Sequence, residues 1–146
     1  MDTVGSLFDK ISIAEKRSSV VEDESVIYDI NCQIGWMLLE IGHILVEGFN
    51  NNRPITFSKH KIYDKDVRDF TPDSLTDLIK NLKEYNETLW DLEDIRRDKG
   101  LTDSERLAAA DDVSVFNKKR NDTIDKIDSY IEKCIVSAAV DKIGPE

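Results

Sequence analysis

Residues 23–48 read DESVIYDINCQIGWMLLEIGHILVEG, and their spacing decides the fold class. With 3.6 residues per helical turn, Ile27, Ile30, Ile34, Met37, Leu38, Ile41, Ile44 and Leu45 fall on one face of a helix, a face wide enough to meet two neighbours. This is the expected central helix of an all-α protein. Its most apolar part, Ile34 to Val46, carries Glu40 and His43 and is shorter than the roughly 20 apolar residues a membrane-spanning helix needs. It therefore reads as a helix buried in protein.

Working outward, the chain before residue 23 makes a first helix. Thr3 is placed to cap it, Val4, Leu7, Phe8, Ile11 and Ala14 form its stripe, and it ends near Arg17 to Ser19. Gly48 and the run Asn50, Asn51, Asn52 stop the second helix, because Gly and Asn accept the left-handed backbone of helix ends. A long connection over residues 49–71 follows. Within it Pro54-Ile55-Thr56-Phe57 and Ile62-Tyr63 alternate weakly, as in a short hairpin or an exposed loop.

Thr71 as cap, Pro72 in the first helical position and Asp73 at the positive dipole end open a third helix, with Ile79, Leu82, Tyr85, Leu89 and Leu92 on its core face. Gly100 ends it. Thr102 and Glu105 form a capping box that opens a fourth helix, whose stripe is Val113, Phe116, Ile124, Ile127, Ile131, Cys134, Ile135 and Ala138. Without Pro or Gly before Gly144 this helix runs about 40 residues, ~60 Å at ~1.5 Å per residue. Such a length predicts a kink around Ala108 to Asp112 or pairing with a second subunit. The expected architecture is a four-helix bundle with one long crossover loop.

A chain of 146 residues, 40% of them hydrophobic, supports one core, so residues 1–146 are expected to form a single domain. Against 20 Lys and Arg stand 30 Asp and Glu, a formal net charge of −10 that repels phosphate backbones and anionic lipid. Neither nucleic acid nor a membrane is an expected partner. Asp2 follows Met1 with no basic segment and apolar run after it, so a cytoplasmic location is expected. Cys32 lies one turn from Tyr28 and Trp36, and Cys134 one turn from Ile131 and Ala138, the pattern of reduced thiols in or near the core.

No Gly-rich phosphate loop, nucleophile elbow or CxxC pair is present, and His43 and His60 are the only histidines, so common nucleophilic hydrolases are excluded. Carboxylates on helices remain. Glu84, Glu87, Asp91, Asp94 and Asp98 recur at three- and four-residue steps on the third helix, and Asp122, Asp125, Asp128 and Glu132 do so on the fourth. If the two ridges face each other, Glu87, Glu93, Asp94, Asp122 and Asp125 make an oxygen-rich set suited to Mg or Mn; solvated faces give the same pattern. Glu40 and His43 form an ExxH pair whose simplest reading is a surface pair. Trp36 and Trp90 read as core or rim aromatics. Arg120 falls inside the fourth stripe between Phe116 and Ile124, so it is expected to be partly buried and paired with Glu93 or Asp94, as a clamp between helices or as an anion contact.

Trp90, Leu92-Glu93-Asp94, Arg97-Asp98, Asn117, Arg120, Asp122 and Ile127-Asp128-Ser129-Tyr130 resemble a bacterial family, domain of unknown function 4254, over roughly residues 85–131. The opening Thr3 to Ile13 and the segment Asn86 to Asp94 are similar to a second such family, domain of unknown function 6165. Asp91 stands where the first family tends to have His, and Ala109, Ala110 and Asp111 lie near where it has a Lys-Arg pair. The resemblance implies an all-helical bacterial or phage protein with a cluster of Trp90, Glu93, Asp94, Arg97, Asn117, Arg120, Asp122 and Asp128. It names no reaction.

Three functions follow as expectations. The first is a non-catalytic bundle that self-associates as a homo-oligomer or binds another protein, with no cofactor. The second is a divalent-metal-dependent hydrolase of nucleotides or phosphoesters, with Arg120 holding phosphate. The third, from net charge alone, is an acidic immunity or decoy protein that covers a basic partner.

Overall fold

A computed structural model describes residues 1–51 and 75–143, and among these residues the chain forms four α-helices and no strand. They are α1 (Val4–Val20), α2 (Glu24–Asn51), α3 (Leu75–Arg97) and α4 (Asp103–Ile143). The expected hairpin at Pro54–Phe57 and Ile62–Tyr63, the Thr71, Pro72, Asp73 helix start and His60 lie outside the described residues.

Local chemistry sets the helix ends. At the start of α1 the Thr3 hydroxyl accepts from the Ser6 amide at 3.0 Å while Ser6 Oγ accepts from the Thr3 amide at 2.8 Å, a reciprocal cap that satisfies two otherwise orphaned donors. Asp23 caps α2, accepting from the Ser25 hydroxyl at 2.7 Å and the Ser25 amide at 2.9 Å, and these bonds hold its carboxyl below the ordinary range. The Thr102–Glu105 box opens α4 as the sequence predicts, with bonds of 3.1 and 3.0 Å. One expectation needs correction. α2 continues past Gly48, which is buried inside the helix, to Asn51. α4 runs its 41 residues as one helical span through Ala108 to Asp112, where Ala109 and Val113 are buried.

The helices form two hairpins, α1 with α2 and α3 with α4, and α1 and α4 each touch all three others. α2 packs on α1 and lightly on α4. The core draws on every helix: Val4, Leu7 and Ile11 from α1, Ile41 from α2, Leu78 and Leu82 from α3, and Ile127, Ile131 and Ile135 from α4. Each such side chain stabilises the fold by about 1.5–3 kcal/mol through removal from water.

The central place expected for α2 thus belongs to α1 together with α4, and what brings α1 there is close approach. Gly5 is buried against α4, where a Cβ would lie 2.5 Å from the carbonyl oxygen of Ile124, and its amide donates to Asp128 Oδ1 at 2.7 Å. The Asp128 carboxylate, 3% exposed, therefore sits on the positive end of the α1 dipole. Just before the same helix, Asp2 accepts two bonds from Lys10 of α1 at 2.8 and 2.9 Å. Those bonds hold the Asp2 carboxyl below its usual range and raise the Lys10 ammonium above its own.

A polar cleft and a bare helix face as candidate functional sites

Two regions stand out once the core is drawn. The first lies between α3 and α4 near their turn. Trp90, Glu93, Asp94 and Arg97 of α3 and Asn117 and Arg120 of α4 line a cleft of about 300 Å³, together with Asn86, Leu89, Val113 and Ile13 of α1. Six of the eight residues in the predicted cluster therefore meet in one place. Their spacing explains why: positions 86, 90, 93 and 97 advance by one helical turn at a time along α3, as 113, 117 and 120 do along α4.

The other two do not reach the cleft. Asp128 holds the start of α1, and Asp122 lies half-buried elsewhere on α4. The five proposed metal ligands, Glu87, Glu93, Asp94, Asp122 and Asp125, are likewise not gathered. Among the described residues no group of three or more His, Cys, Asp or Glu side chains is placed to hold a metal ion. The helical steps that put carboxylates on ridges also turn successive ones away: Glu93 lines the cleft, whereas Glu87 does not and Asp125 is buried on α4.

Arg120 has a different partner from the one expected. Glu93 accepts from Arg96 at 3.3 Å, one turn along its own helix. Arg120 Nε instead approaches Asp9 Oδ1 of α1 at 4.0 Å, beyond hydrogen-bond length, and this buried nitrogen has no hydrogen-bond partner among the described residues. Asp9 is anchored from the other side by Asn86, whose Nδ2 donates to Asp9 Oδ1 at 2.8 Å and also to Ser12 Oγ. A polar chain thus runs Ser12, Asn86, Asp9, Arg120 through the wall of the cleft and ties α1, α3 and α4 together. Asp9, Ile13 and Asn86 are site residues the sequence reading did not select. Asn86 carries a signal, since it breaks an otherwise apolar row between Leu82 and Leu89.

The second region is the outer side of α2. Its inner stripe faces the core as predicted, with Ile30 and Ile41 buried and Ile34, Met37, Ile44 and Leu45 packed against the cluster. Half a turn away Tyr28, Trp36, Leu39 and Val46 are 69, 72, 67 and 58% exposed. Leu38, placed on the inner stripe from its spacing, is 52% exposed, and Trp36 is neither core nor rim. Cys32 is exposed on this same face, since the Tyr28 and Trp36 that flank it are exposed too; both cysteines are free thiols, with Cys134 half-buried. His43 contacts Glu47 at 3.3 Å, an exposed pair, rather than Glu40. Among the described residues no helix is long and apolar enough to cross a membrane.

Residues 76–143, nearly all of α3 and the whole of α4, match the model of a family described as Protein of unknown function (DUF4254). The resemblance read from Trp90 to Tyr130 is thereby confirmed, and all six cluster residues of the cleft fall inside the match. α1 and α2 lie outside it. No curated protein and no solved structure matches the chain.

Proposed function

We propose that the chain is a non-catalytic helical bundle that works by docking protein, a second copy or a different chain, on the outer face of α2. The observation that carries this reading is the exposure of Tyr28, Trp36, Leu39 and Val46 along one helix. Contiguous apolar patches on monomers rarely exceed ~300–600 Å², and larger ones mark interaction surfaces. Tyr and Trp are the residues that most often dominate binding energy at the centre of such surfaces. Sedimentation velocity and pull-down with the wild-type chain and a Trp36→Ser/Leu39→Ser variant test it. Association lost in the variant, with unchanged helicity, is the expected result. Equal association in both, or none in either, overturns it.

A second reading rests on Arg120. A guanidinium with a buried, unsatisfied Nε at the edge of a cleft that also holds Arg97 suits a small anion, a carboxylate or a phosphate. Calorimetric titration with inorganic phosphate and acetate should then give saturable binding that disappears in Arg120→Met. Heats equal to dilution for both anions would remove this reading.

A further inference from the structure

Docking on α2 leaves the occupant open, and the face itself narrows it. Tyr28, Cys32, Gly35, Leu39, Gly42 and Val46 succeed one another at steps of four, three, four, three and four residues. This is the spacing of a seam along which two helices pack knobs into holes. Turned end for end about residue 37, the stripe sets Tyr28 against Val46, Cys32 against Gly42 and Gly35 against Leu39. Each Leu39 then meets a residue with no side chain, and the two small residues Cys32 and Gly42 meet each other.

Among the described residues the glycines serve no packing role inside their own chain. A Cβ on Gly35 or Gly42 would meet nothing within 4 Å among the described residues, and glycine in a helix interior weakens the helix. They are gaps that open outward. The flanks agree: in the same arrangement Trp36 lies beside Trp36 of the second copy, Leu38 beside its counterpart, and Asp29 beside His43. α2 carries no Lys or Arg, and its remaining acids within this span, Glu40 and Glu47, stand about a quarter-turn off the seam. The exposed parts of Tyr28, Trp36, Leu38, Leu39 and Val46 amount to on the order of 600 Å², given ~150–250 Å² for an aromatic. With the glycine backbone and His43 the face approaches the ~800 Å² per partner of a stable complex.

We propose that α2 pairs antiparallel with α2 of a second copy about a twofold axis near residue 37, with Gly35 receiving Leu39 of the second copy. This rests on the docking reading and commits it to self-association. With −10 of formal charge on each copy, pairing tightens as salt rises, whereas a basic partner would be released.

Sedimentation equilibrium of the full chain over a wide concentration range, at low and high salt, should show a monomer–dimer equilibrium favoured by salt. Gly35→Leu adds a side chain where its own fold has room and leucine favours helix, so helicity and melting temperature hold or rise. It fills the hole, and pairing weakens roughly tenfold or more. Register is read in a Cys134→Ser background. G42C should give a covalent dimer with a mild oxidant, and the parent should not, because Cys32 and its counterpart stand ~15 Å apart along the axis, outside disulfide reach.

A parent that cross-links through Cys32, or a Gly35→Leu chain that pairs as well as wild type, overturns the antiparallel pairing. A wild-type chain that stays monomeric yet binds another protein through Trp36 and Leu39 overturns it and leaves the docking reading standing. A monomer with no α2-dependent association overturns both.

Discussion

α1 and α2 form one hairpin and have opposite fates. α1 is the shorter and less apolar helix, yet it contacts every other element, while α2, the most apolar of the four, commits one face to the core and leaves the other bare. The difference lies in how near a backbone can come. Gly5 and the buried Ser12 let α1 settle into the angle between α3 and α4, where its amide and its polar side chains find partners at Asp128 and Asn86. α2 has glycines at 35 and 42 that point away from the core, and its one buried glycine, Gly48, lies in its last turn. Position in a bundle therefore follows from where the small residues lie, and total hydrophobicity is a poor guide to it.

The comparison can be broken most forcefully in the core. Leu82→Ala or Ile127→Ala, both at sites 0% exposed, should lower unfolding free energy by about 2–5 kcal/mol. Leu39→Ala should change it by under ~0.5 kcal/mol in dilute, unpaired protein, as measured by urea titration. A large loss at Leu39 would mean that the outer face of α2 is part of the fold.

The glycines give a second contrast. Gly5→Ala drives a Cβ into the Ile124 carbonyl and should cost about 1–3 kcal/mol, whereas Gly42→Ala should raise the stability of the unpaired chain by roughly 0.5–1 kcal/mol. Equal effects at both positions would remove close approach as the reason for the central place of α1. Next in size, Asn86→Ala withdraws the donor from Asp9 and Ser12 and should cost about 1 kcal/mol. Its finer reading is Arg120: a nitrogen-detected NMR shift of the guanidinium should follow, because Asp9 loses the group that positions it.

Smallest is a pH effect at the start of α1. Bonds from Lys10 depress the folded-state pKa of Asp2 below its unfolded value near 3.8, so their contribution is present above that pH and is lost as pH falls through the folded value. Both groups are largely in water, so the loss should be slight and should vanish in Lys10→Met. A difference between wild type and Lys10→Met that grew as pH fell would contradict this assignment.

Much of this architecture is legible in the residues, and what is not has a physical reason. Helix limits come from local spacing and from caps such as Thr3 and Thr102, where both partners lie within one turn, and those boundaries hold. Relations between helices depend on register, which no local pattern encodes. Hence Arg120 approaches Asp9 on α1 instead of Glu93 or Asp94. The cleft was legible as a cluster because its six residues repeat at helical steps and carry a family likeness, while Asp128 shares that likeness and serves to hold a helix end. On α2 the periodicity supports two stripes half a turn apart. Counting apolar residues cannot tell which one the fold covers, so Leu38 reads as inward and Trp36 as a core or rim aromatic, though both are exposed.

The bond between Gly5 and Asp128 joins residues 123 positions apart. On a ribosome α1 emerges well before the carboxylate that fixes its leading turn. α1 and α2 can pair early as a local hairpin, but the start of α1 lacks its partners on α4 until translation has passed Asp128. The order in which the chain is made thus runs opposite to the order in which its centre closes, and a truncation before residue 128 leaves the central helix without its final partner.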